Sequence, residues 1–471
     1  MQSYALSQRL RRGALWIIAW RIVGIVSTLA ANVLLARWLG PQEFGTYLFL
    51  MSVIAFGGIL ASSGLSDVSL RSVSERLAVG AASEAALCLR RIFALAGMIS
   101  LVVALSVAGM LALYNVLSPG AAAGPWVWLS VAVGVATLGW MQISAESLRG
   151  LHELRFAGLF SGGQAGGPLT VLLALIAFLI ATLWFPASAE LAVMLGVAAL
   201  CCTLVLALVC LRHTARQRLQ NSTTANSLNV SSPAPSSKQL LSIGWVLMSI
   251  QLLAFVSQQF DLWIGELLLQ GPELGMYGAA KRSMLLVAMP VQMAMLTVIS
   301  TIPELHAQQR RGELEALLRK SALVAAVPAI AALIALVCFP EQILGIIFGG
   351  HYTQAAGPLL ILAIGHFVLI VSGNPAHVLT MTGRERSVIV VNLLAALVLM
   401  LGGPLATHQF GILGLAAASA LSLSVQNIVL WWLARKQLGV WTHVGIAPRQ
   451  RVSIDTSLSP PPQHAIAETL T

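Results

Sequence analysis

The chain has 471 residues, of which 58% are hydrophobic and only 9% are charged. Ordinary soluble domains carry roughly 25% charged residues, so a chain of this length and composition cannot cover a water-facing surface. This excludes a water-soluble protein and indicates an integral membrane protein. The formal net charge of +10 would suggest nucleic acid as a partner, but the placement of the charges described below points to the membrane instead.

Twelve apolar stretches have the length of a membrane-spanning helix, which needs about 20 residues to cross the hydrocarbon core. They are 13–37, 44–65, 92–114, 125–147, 158–184, 190–211, 240–267, 273–302, 320–339, 356–381, 387–406 and 410–433. The N-terminus MQSYALSQRLRRGALW resembles a signal peptide, but the apolar run from Ala14 to Ala36 is too long for one. The sequence therefore predicts an all-α integral membrane protein with twelve transmembrane helices.

The basic residues predict how these spans are oriented. Nearly all of the 27 Lys and Arg residues fall in segments on one side of the membrane. Arg37 is the one basic residue at the end of a span on the opposite side. Because cytoplasmic segments are enriched in Lys and Arg, we expect a multi-pass protein with both termini in the cytoplasm.

Two segments lie outside the spans. QNSTTANSLNVSSPAPSSK (220–238) is rich in Ser, Asn and Pro, as flexible linkers are, and the tail containing SLSPPPQ is expected to be disordered. The cysteines have no spacing typical of a metal or redox site. They are Cys88, Cys201, Cys202, Cys210 and Cys338.

A turn in the first half of the chain recurs in the second half. The matched residues are Gly40, Pro41, Gly45 and Tyr47 in the first half and Gly271, Pro272, Gly275 and Tyr277 in the second. EAALCLRR (84–91) likewise matches ELEALLRK (313–320). Each half then holds six spans, and because six is even, both halves enter the membrane in the same direction.

The predicted architecture is therefore two parallel six-helix repeats. The boundaries are 1–212 for the N-terminal lobe, 213–239 for a cytoplasmic linker, 240–435 for the C-terminal lobe and 436–471 for a cytoplasmic, disordered tail. Two such bundles suit alternating access, with a substrate site between them.

Four ionisable residues lie inside the predicted spans: Arg21, Asp261, Lys281 and Arg282. A charge at the bilayer centre costs roughly 2.5–3.5 kcal/mol, so such residues usually face a cavity or a partner. Asp261 and Lys281 are each ten residues from Gly271, about 15 Å along neighbouring antiparallel helices. At that similar depth they can pair with each other.

Two interpretations of these charges stay open. In one, Arg21, Arg282 and Lys281 hold an anionic diphosphate, and Asp261 binds a coupling cation or proton. In the other, Asp261 and Lys281 form a structural ion pair and Arg21 snorkels to the inner surface. Six polar residues can line the same cavity or serve helix packing. They are Gln142, Gln258, Gln259, His366, Asn374 and Gln426.

Three stretches resemble bacterial polysaccharide (O-antigen-type) flippases of the multidrug/oligosaccharidyl-lipid/polysaccharide exporter superfamily. They are NVLLARWLGPQEFGTYLFLMSVIAF (32–56), DLWIGELLLQGPELGMYGAAKRSM (261–284) and LRGLHELRFAGLF (148–160). The resemblance implies a V-shaped fold that carries undecaprenyl-diphosphate-linked oligosaccharides to the outer leaflet of the inner membrane, for cell-surface polysaccharide synthesis. It implies no cofactor beyond a coupling proton or Na⁺. The implied partners are the lipid-linked oligosaccharide, membrane lipids and other polysaccharide-assembly proteins.

Other functions fit the sequence less well. The segment GAAKRS lacks the Gly that precedes Lys in an ATP-binding loop, so an ATP-driven pump is not expected. A membrane glycan polymerase or ligase would need an outward catalytic loop, and no outer segment carries paired carboxylates or a Ser/His/Asp set. The remaining rival is an ion-coupled drug or metabolite exporter of the same superfamily. Such an exporter would favour acidic and aromatic cavity residues.

Overall fold

The computed structural model describes residues 2–78, 80–117, 124–162, 166–223, 236–298 and 301–445. In these residues the chain forms sixteen α-helices and one 3-10 helix (Gly350–Ala355), and no strand. The α-helices are α1 (Gln2–Ser62), α2 (Leu65–Ala78), α3 (Ala82–Leu117), α4 (Pro125–Gly150), α5 (Leu154–Phe160), α6 (Pro168–Trp184), α7 (Ala189–Thr223), α8 (Ser237–Leu268), α9 (Glu273–Ser283), α10 (Leu285–Val298), α11 (Thr301–Ala307), α12 (Arg311–Cys338), α13 (Pro340–Phe348), α14 (Ala356–Ser372), α15 (Pro375–Met381) and α16 (Glu385–Leu438). The predicted all-α membrane class is confirmed.

Eight helical stretches of the described chain are long and apolar enough to cross a membrane. Two of them, in α1 and α16, contain two spans each, because each helix turns back at a glycine. The fifth predicted span is divided between α5 and α6, and the eighth between α9 and α10. When the two-span helices and the divided spans are counted in this way, each of the twelve predicted spans corresponds to helices of the structure.

The two glycine kinks have backbone angles that other residues rarely adopt. Gly40 has φ 73° within α1 and Gly411 has φ 56° within α16. Glycine reaches such angles without a Cβ clash, and Pro41 directly after Gly40 is suited to the first turn of the returning helix. The Gly-Pro pair thus makes the tight turn that the sequence predicts.

Three spans are broken partway through the membrane. The first break separates α5 from α6, the second lies at Ser283–Met284 between α9 and α10, and the third is at Gly373 and Asn374, whose φ angles are 69° and 60°. Non-helical backbone at membrane depth occurs where it lines a cavity or is buried in protein, because lipid offers no hydrogen bonds. The breaks therefore mark where a cavity is expected.

The two related turns pack against each other on one face of the molecule, which we call the turn face. A Cβ on Gly275 would lie 1.7 Å from the carbonyl oxygen of Pro41, and a Cβ on Gly45 would lie 2.8 Å from the amide nitrogen of Gly275. Small residues allow this approach, since membrane helices associate by close packing rather than by a hydrophobic driving force. The first half (α1–α7) and the second half (α8–α16) meet here.

Arg37, the basic residue at the outer end of the first span, also joins the halves on the turn face. Its Nε donates to the carbonyl oxygen of Ile347 at 2.8 Å, and its Nη2 donates to that of Ile346. Both carbonyls lie in the last turn of α13, where carbonyl groups lack helical partners and attract a positive charge. The Tyr352 hydroxyl adds a hydrogen bond to the Ala36 carbonyl oxygen at 2.9 Å.

The predicted bounds of the linker and of the tail differ from those in the structure. Helix α7 continues to Thr223, so residues 213–223 are helical, and residues 224–235 lie outside the described residues. Helix α16 continues to Leu438, and the chain after it packs back on the protein with Thr442 fully buried. The expectation of disorder does not hold for residues 436–445, because Leu438 and Val440 are buried in an apolar cluster with neighbouring helices. Residues 446–471 lie outside the described residues.

Candidate functional site

Two cavities meet at the middle of the molecule. The larger, about 510 Å³, is lined mainly by the second half together with Arg21 of α1; we call it the central cavity. The other, about 420 Å³, lies between α1, α6, α8 and α9 and is called the Tyr47 chamber. Gln258, Gln259 and Arg282 line both, so the two are neighbours across these side chains.

Arg282 occupies the wall shared by the two cavities. It is the penultimate residue of α9, directly before the break at Ser283–Met284. Within the described residues, no hydrogen bond or ion pair joins its guanidinium to another side chain. The side chain is half-buried and lines both cavities, so its positive charge is open to each of them.

Arg21 lies at the far end of the central cavity from Arg282. It is exposed, as is Gln292 beside the same cavity. Arg21 is 19 residues before Gly40 in the sequence, about 28 Å along the helix, so it sits toward the face opposite the turn face. Its neighbour His377, from α15, interacts with it electrostatically. The cavity therefore carries positive charge at both ends.

Lys281 and Asp261 form an ion pair at the wall of the central cavity, in which Asp261 is buried and the Lys281 side chain is 25% exposed. Lys281 Nζ lies 2.7 Å from both carboxylate oxygens of Asp261 and 2.6 Å from the carbonyl oxygen of Gln258. The carboxylate also accepts hydrogen bonds from the hydroxyls of Tyr277 and Ser419. The structure thus places Asp261 with a full set of donors, and it places Lys281 with a carboxylate rather than free in the cavity.

The polar residues singled out in the sequence divide between cavities. Gln258 and Gln259 line both the central cavity and the chamber, and His366, Asn374 and Gln426 line the central cavity. Gln426 also donates to Asn392 Oδ1 at 2.7 Å, so part of its amide serves packing. Gln142 lines a third cavity of about 290 Å³ between α4, α5 and α8.

The third cavity contains the carboxylates that face the interior of the first half. Glu146 Oε2 is 2.9 Å from Arg149 Nη1, and Asp67 Oδ2 accepts a hydrogen bond from Gln251 at 2.8 Å. Both carboxylates thus have donors of their own. Among the described residues, no group of three or more His, Cys, Asp and Glu is placed to hold a metal ion.

Sequence reasoning missed several wall residues. His377, Gln292, Ser419 and Asn427 line the central cavity, and Tyr47 lines the chamber. Tyr47 was predicted only as part of a turn motif. The available signal was its match to Tyr277 in the other repeat, because a residue retained in both copies can serve more than the turn.

A model of the polysaccharide biosynthesis protein family matches residues 10–309, well over half of the chain. This chain belongs to that family. The resemblance noted in the two turn motifs is thereby confirmed at the level of the family. A curated relative is the probable low-salt glycan biosynthesis flippase Agl15 of Haloferax volcanii, 25% identical over 172 residues. That match spans 36% of this chain and 36% of the relative, about a third of each length.

Solved structures share the fold of this family member over nearly its whole length. An inward-facing multidrug resistance MATE family transporter of the MOP superfamily is 15% identical with a TM-score of 0.65, covering 90% of this chain and 98% of that one. The lipid II flippase MurJ in an inward closed conformation is 10% identical with a TM-score of 0.63, covering 90% and 87%. At these identities the likeness shows the fold, which is that of two six-helix repeats.

Proposed function

We propose that the protein is a flippase that moves an undecaprenyl-diphosphate-linked oligosaccharide from the inner to the outer leaflet by alternating access. The observation that carries the proposal is Arg282, which has no ion-pair partner among the described residues and lies on the wall shared by the two cavities. Several positive donors can compensate a diphosphate while its lipid tail stays in hydrocarbon. Family membership and the likeness to glycan flippases support the substrate class.

In this proposal the cavity residues have different tasks. Arg21, exposed at the end away from the turn face, attracts the diphosphate, and Arg282 holds it at the shared wall. Lys281 adds positive charge near the shared wall, although its ammonium group is hydrogen-bonded to Asp261. The turn face closes the path in this state through the contact of Gly45 with Gly275. Transport then requires this contact to open while the opposite face closes.

The energy source is part of the same proposal. A carboxylate inside a membrane protein is a common site for a coupling cation or proton. Asp261, held by Lys281, Tyr277 and Ser419, is the candidate for a proton or Na⁺. Binding at that site would compete with Lys281 and so couple ion entry to rearrangement of α8 and α9.

The cellular setting follows from the basic residues and the resemblance. We place the protein in the bacterial inner membrane with both termini in the cytoplasm, because the positive charges gather on one side. Its further partners would be membrane lipids and the proteins that make and assemble the polysaccharide. A drug exporter of the same fold is less well supported, since the charged side chains of the described residues that line the central cavity, Arg21, Lys281 and Arg282, are basic.

The test measures the pool of undecaprenyl-diphosphate-linked oligosaccharide in cells that lack the gene and carry either the wild type or Arg282→Gln. We expect the pool to accumulate without the gene, to clear with the wild type, and to clear at least tenfold more slowly with Arg282→Gln. Arg71→Gln is the matched control, because Arg71 is exposed and pairs only with Glu75 on the same helix. An unchanged pool with increased sensitivity to cationic drugs would contradict the substrate class. Full activity of Arg282→Gln would contradict the assigned site.

A further inference from the structure

The Tyr47 chamber has a lining unlike that of a simple phosphate site. It contains neutral hydrogen-bonding groups, one cation and a few apolar side chains. The polar residues are Thr28, Asn32, Tyr47, Ser52, Gln258, Gln259 and Arg282, and the apolar ones are Leu48, Met51, Val171 and Leu262. Its volume of about 420 Å³ falls within the range of small-ligand pockets, roughly 300–1,000 Å³.

Tyr47 presents an unsatisfied hydroxyl in this chamber. The residue is only 9% exposed, and within the described chain its hydroxyl has no hydrogen-bond partner, although it interacts electrostatically with Arg282. Phe44 and Phe178 pack on its ring, with centroids 6.4 Å away in each case, so the ring is fixed. The ring is thus held in place while the hydroxyl is open to the chamber, where a ligand can supply the hydrogen bond that the described residues do not.

The equivalent residue of the second half, Tyr277, has a hydroxyl whose hydrogen bonds are satisfied by protein groups. Tyr277 donates to Asp261, and its hydroxyl oxygen lies 3.0 Å from that of Ser419, which donates to the same carboxylate. Among the described residues of the first half, no carboxylate lines the chamber beside Tyr47. The two repeats therefore use the same tyrosine differently, one to hold a carboxylate and one to face an open chamber.

Asn32 supplies further unused groups beside Tyr47. It is 8% exposed, and its Nδ2 donates to the Thr28 carbonyl oxygen at 2.7 Å. Within the described chain this is its only side-chain hydrogen bond, so Oδ1 and one N–H remain for a ligand. An amide that both donates and accepts suits a hydroxyl group, which also does both.

We propose that the Tyr47 chamber binds the first sugar ring attached to the diphosphate. This inference rests on the proposed flippase function. It adds which part of the substrate the Tyr47 chamber recognises. Arg282 lines both cavities, so a diphosphate held there would bring the sugar attached to it within reach of the chamber. Sugar hydroxyls match Tyr47, Asn32 and the two glutamines, and the ring's C–H faces match Leu48 and Val171.

The test compares binding of two lipids to the full-length protein in lipid nanodiscs. One probe is undecaprenyl diphosphate, and the other is undecaprenyl diphosphate carrying a single glucose, galactose or N-acetylglucosamine, tried in turn. We expect the wild type to bind at least one sugar-bearing lipid about tenfold more tightly than the bare lipid. Tyr47→Phe, which removes only the hydroxyl, should lower that preference by about tenfold and leave the affinity for the bare lipid unchanged.

Further variants separate the sugar site from the phosphate site. Arg282→Gln should weaken both lipids alike, and Asn32→Ala should behave like Tyr47→Phe. Tyr352→Phe is the matched control, because this buried tyrosine donates to Ala36 outside the chamber. It should leave the sugar preference intact.

Two results would overturn the inference alone. One is that the wild type gains no affinity from any of the three sugars, and the other is that Tyr47→Phe weakens both lipids equally. If the wild type binds neither lipid class, the proposed function fails as well, and that result is distinguishable from the first two.

Discussion

At the scale of residues, Lys281 and Arg282 are adjacent in sequence and have opposite surroundings. A helix turns by about 100° per residue, so the two side chains leave α9 in different directions. Lys281 reaches the carboxylate of Asp261, whose side chain is 1% exposed, and Arg282 faces open space in two cavities. Asp261 thus neutralises one of the two cations, and the other is the one that we propose holds the substrate.

Removal of the Lys281 charge should strongly destabilise the protein. Lys281→Met would leave the Asp261 carboxylate buried without its cation, and breaking a buried pair in this way costs about 3–5 kcal/mol. The double variant Asp261→Asn/Lys281→Met removes both charges and should recover most of the lost free energy of unfolding. Denaturant unfolding in detergent micelles measures this. Equal stability of the wild type and Lys281→Met would show that the pair does not stabilise the fold.

At the scale of elements, the segment 439–445, which we call the strap, contacts the three helices α12, α14 and α16. Its Thr442 hydroxyl donates to the Ser372 carbonyl oxygen at 2.7 Å, and its Val444 amide donates to the Val371 carbonyl oxygen at 3.0 Å. Its Trp441 ring lies 4.9 Å from that of Trp431. The strap therefore packs on the end of α14, next to the break that shapes the central cavity.

His443 should make attachment of the strap depend on pH. It faces Arg319 and Glu315 of α12 and lies against the rings of Trp431 and Trp441. Burial and the nearby Arg319 lower the pKa of His443 from its ordinary value of about 6.5, and Glu315 opposes this shift. The released strap then binds a proton more readily than the docked one. Docking is therefore at full strength above about pH 6.5 and weakens as the pH falls below it.

Hydrogen exchange of the strap amides measures this effect. After correction for the intrinsic pH dependence of exchange, we expect less protection at about pH 5.5 than at about pH 7.5. His443→Gln, which cannot take up a proton, should show no such change. Equal loss of protection in both proteins would assign the effect to another group.

At the scale of the whole molecule, the two halves touch at copies of one turn. Gly45 meets Gly275, and Gly278 approaches Leu48, where a Cβ would lie 2.2 Å from the leucine side chain. Arg37 adds a contact to α13 nearby. The same motif thus turns the chain within each half. Because its glycines have no side chains, it also allows the two halves to pack closely.

A single methyl group should open this contact. The Cβ of Gly275→Ala would lie 1.7 Å from the Pro41 carbonyl oxygen, a backbone atom that cannot move aside alone, so the halves must separate on the turn face. Spin labels at Gln42 and Gln270, both exposed, should report a distance longer by several ångström, and transport should fall. Gly350→Ala is the matched control on the same face, because nothing lies within 4 Å of its Cβ. Identical distance distributions in the two variants would contradict this account of the contact.

Much of the fold was predictable because its causes are local. Apolar length determines a span, and Gly-Pro pairs determine a turn, so the twelve spans and the twin turns were found without a partner helix. In the fifth span FSGGQAGGP (160–168) indicates close packing or bending, but the breaks in the eighth and tenth spans were not predicted. At the tenth span a local signal was present, because Gly373 and Asn374 have positive φ angles directly before Pro375, the first residue of α15.

The sequence by itself determined that this is a twelve-span, two-repeat membrane protein with four charges at membrane depth. Only the tertiary structure decided which charge has a partner, that Tyr47 faces a chamber while Tyr277 holds Asp261, and that the strap packs back on α14. The reason is physical. Position along a helix gives the depth of a residue, whereas its neighbours depend on how distant segments pack, which no single stretch of sequence specifies.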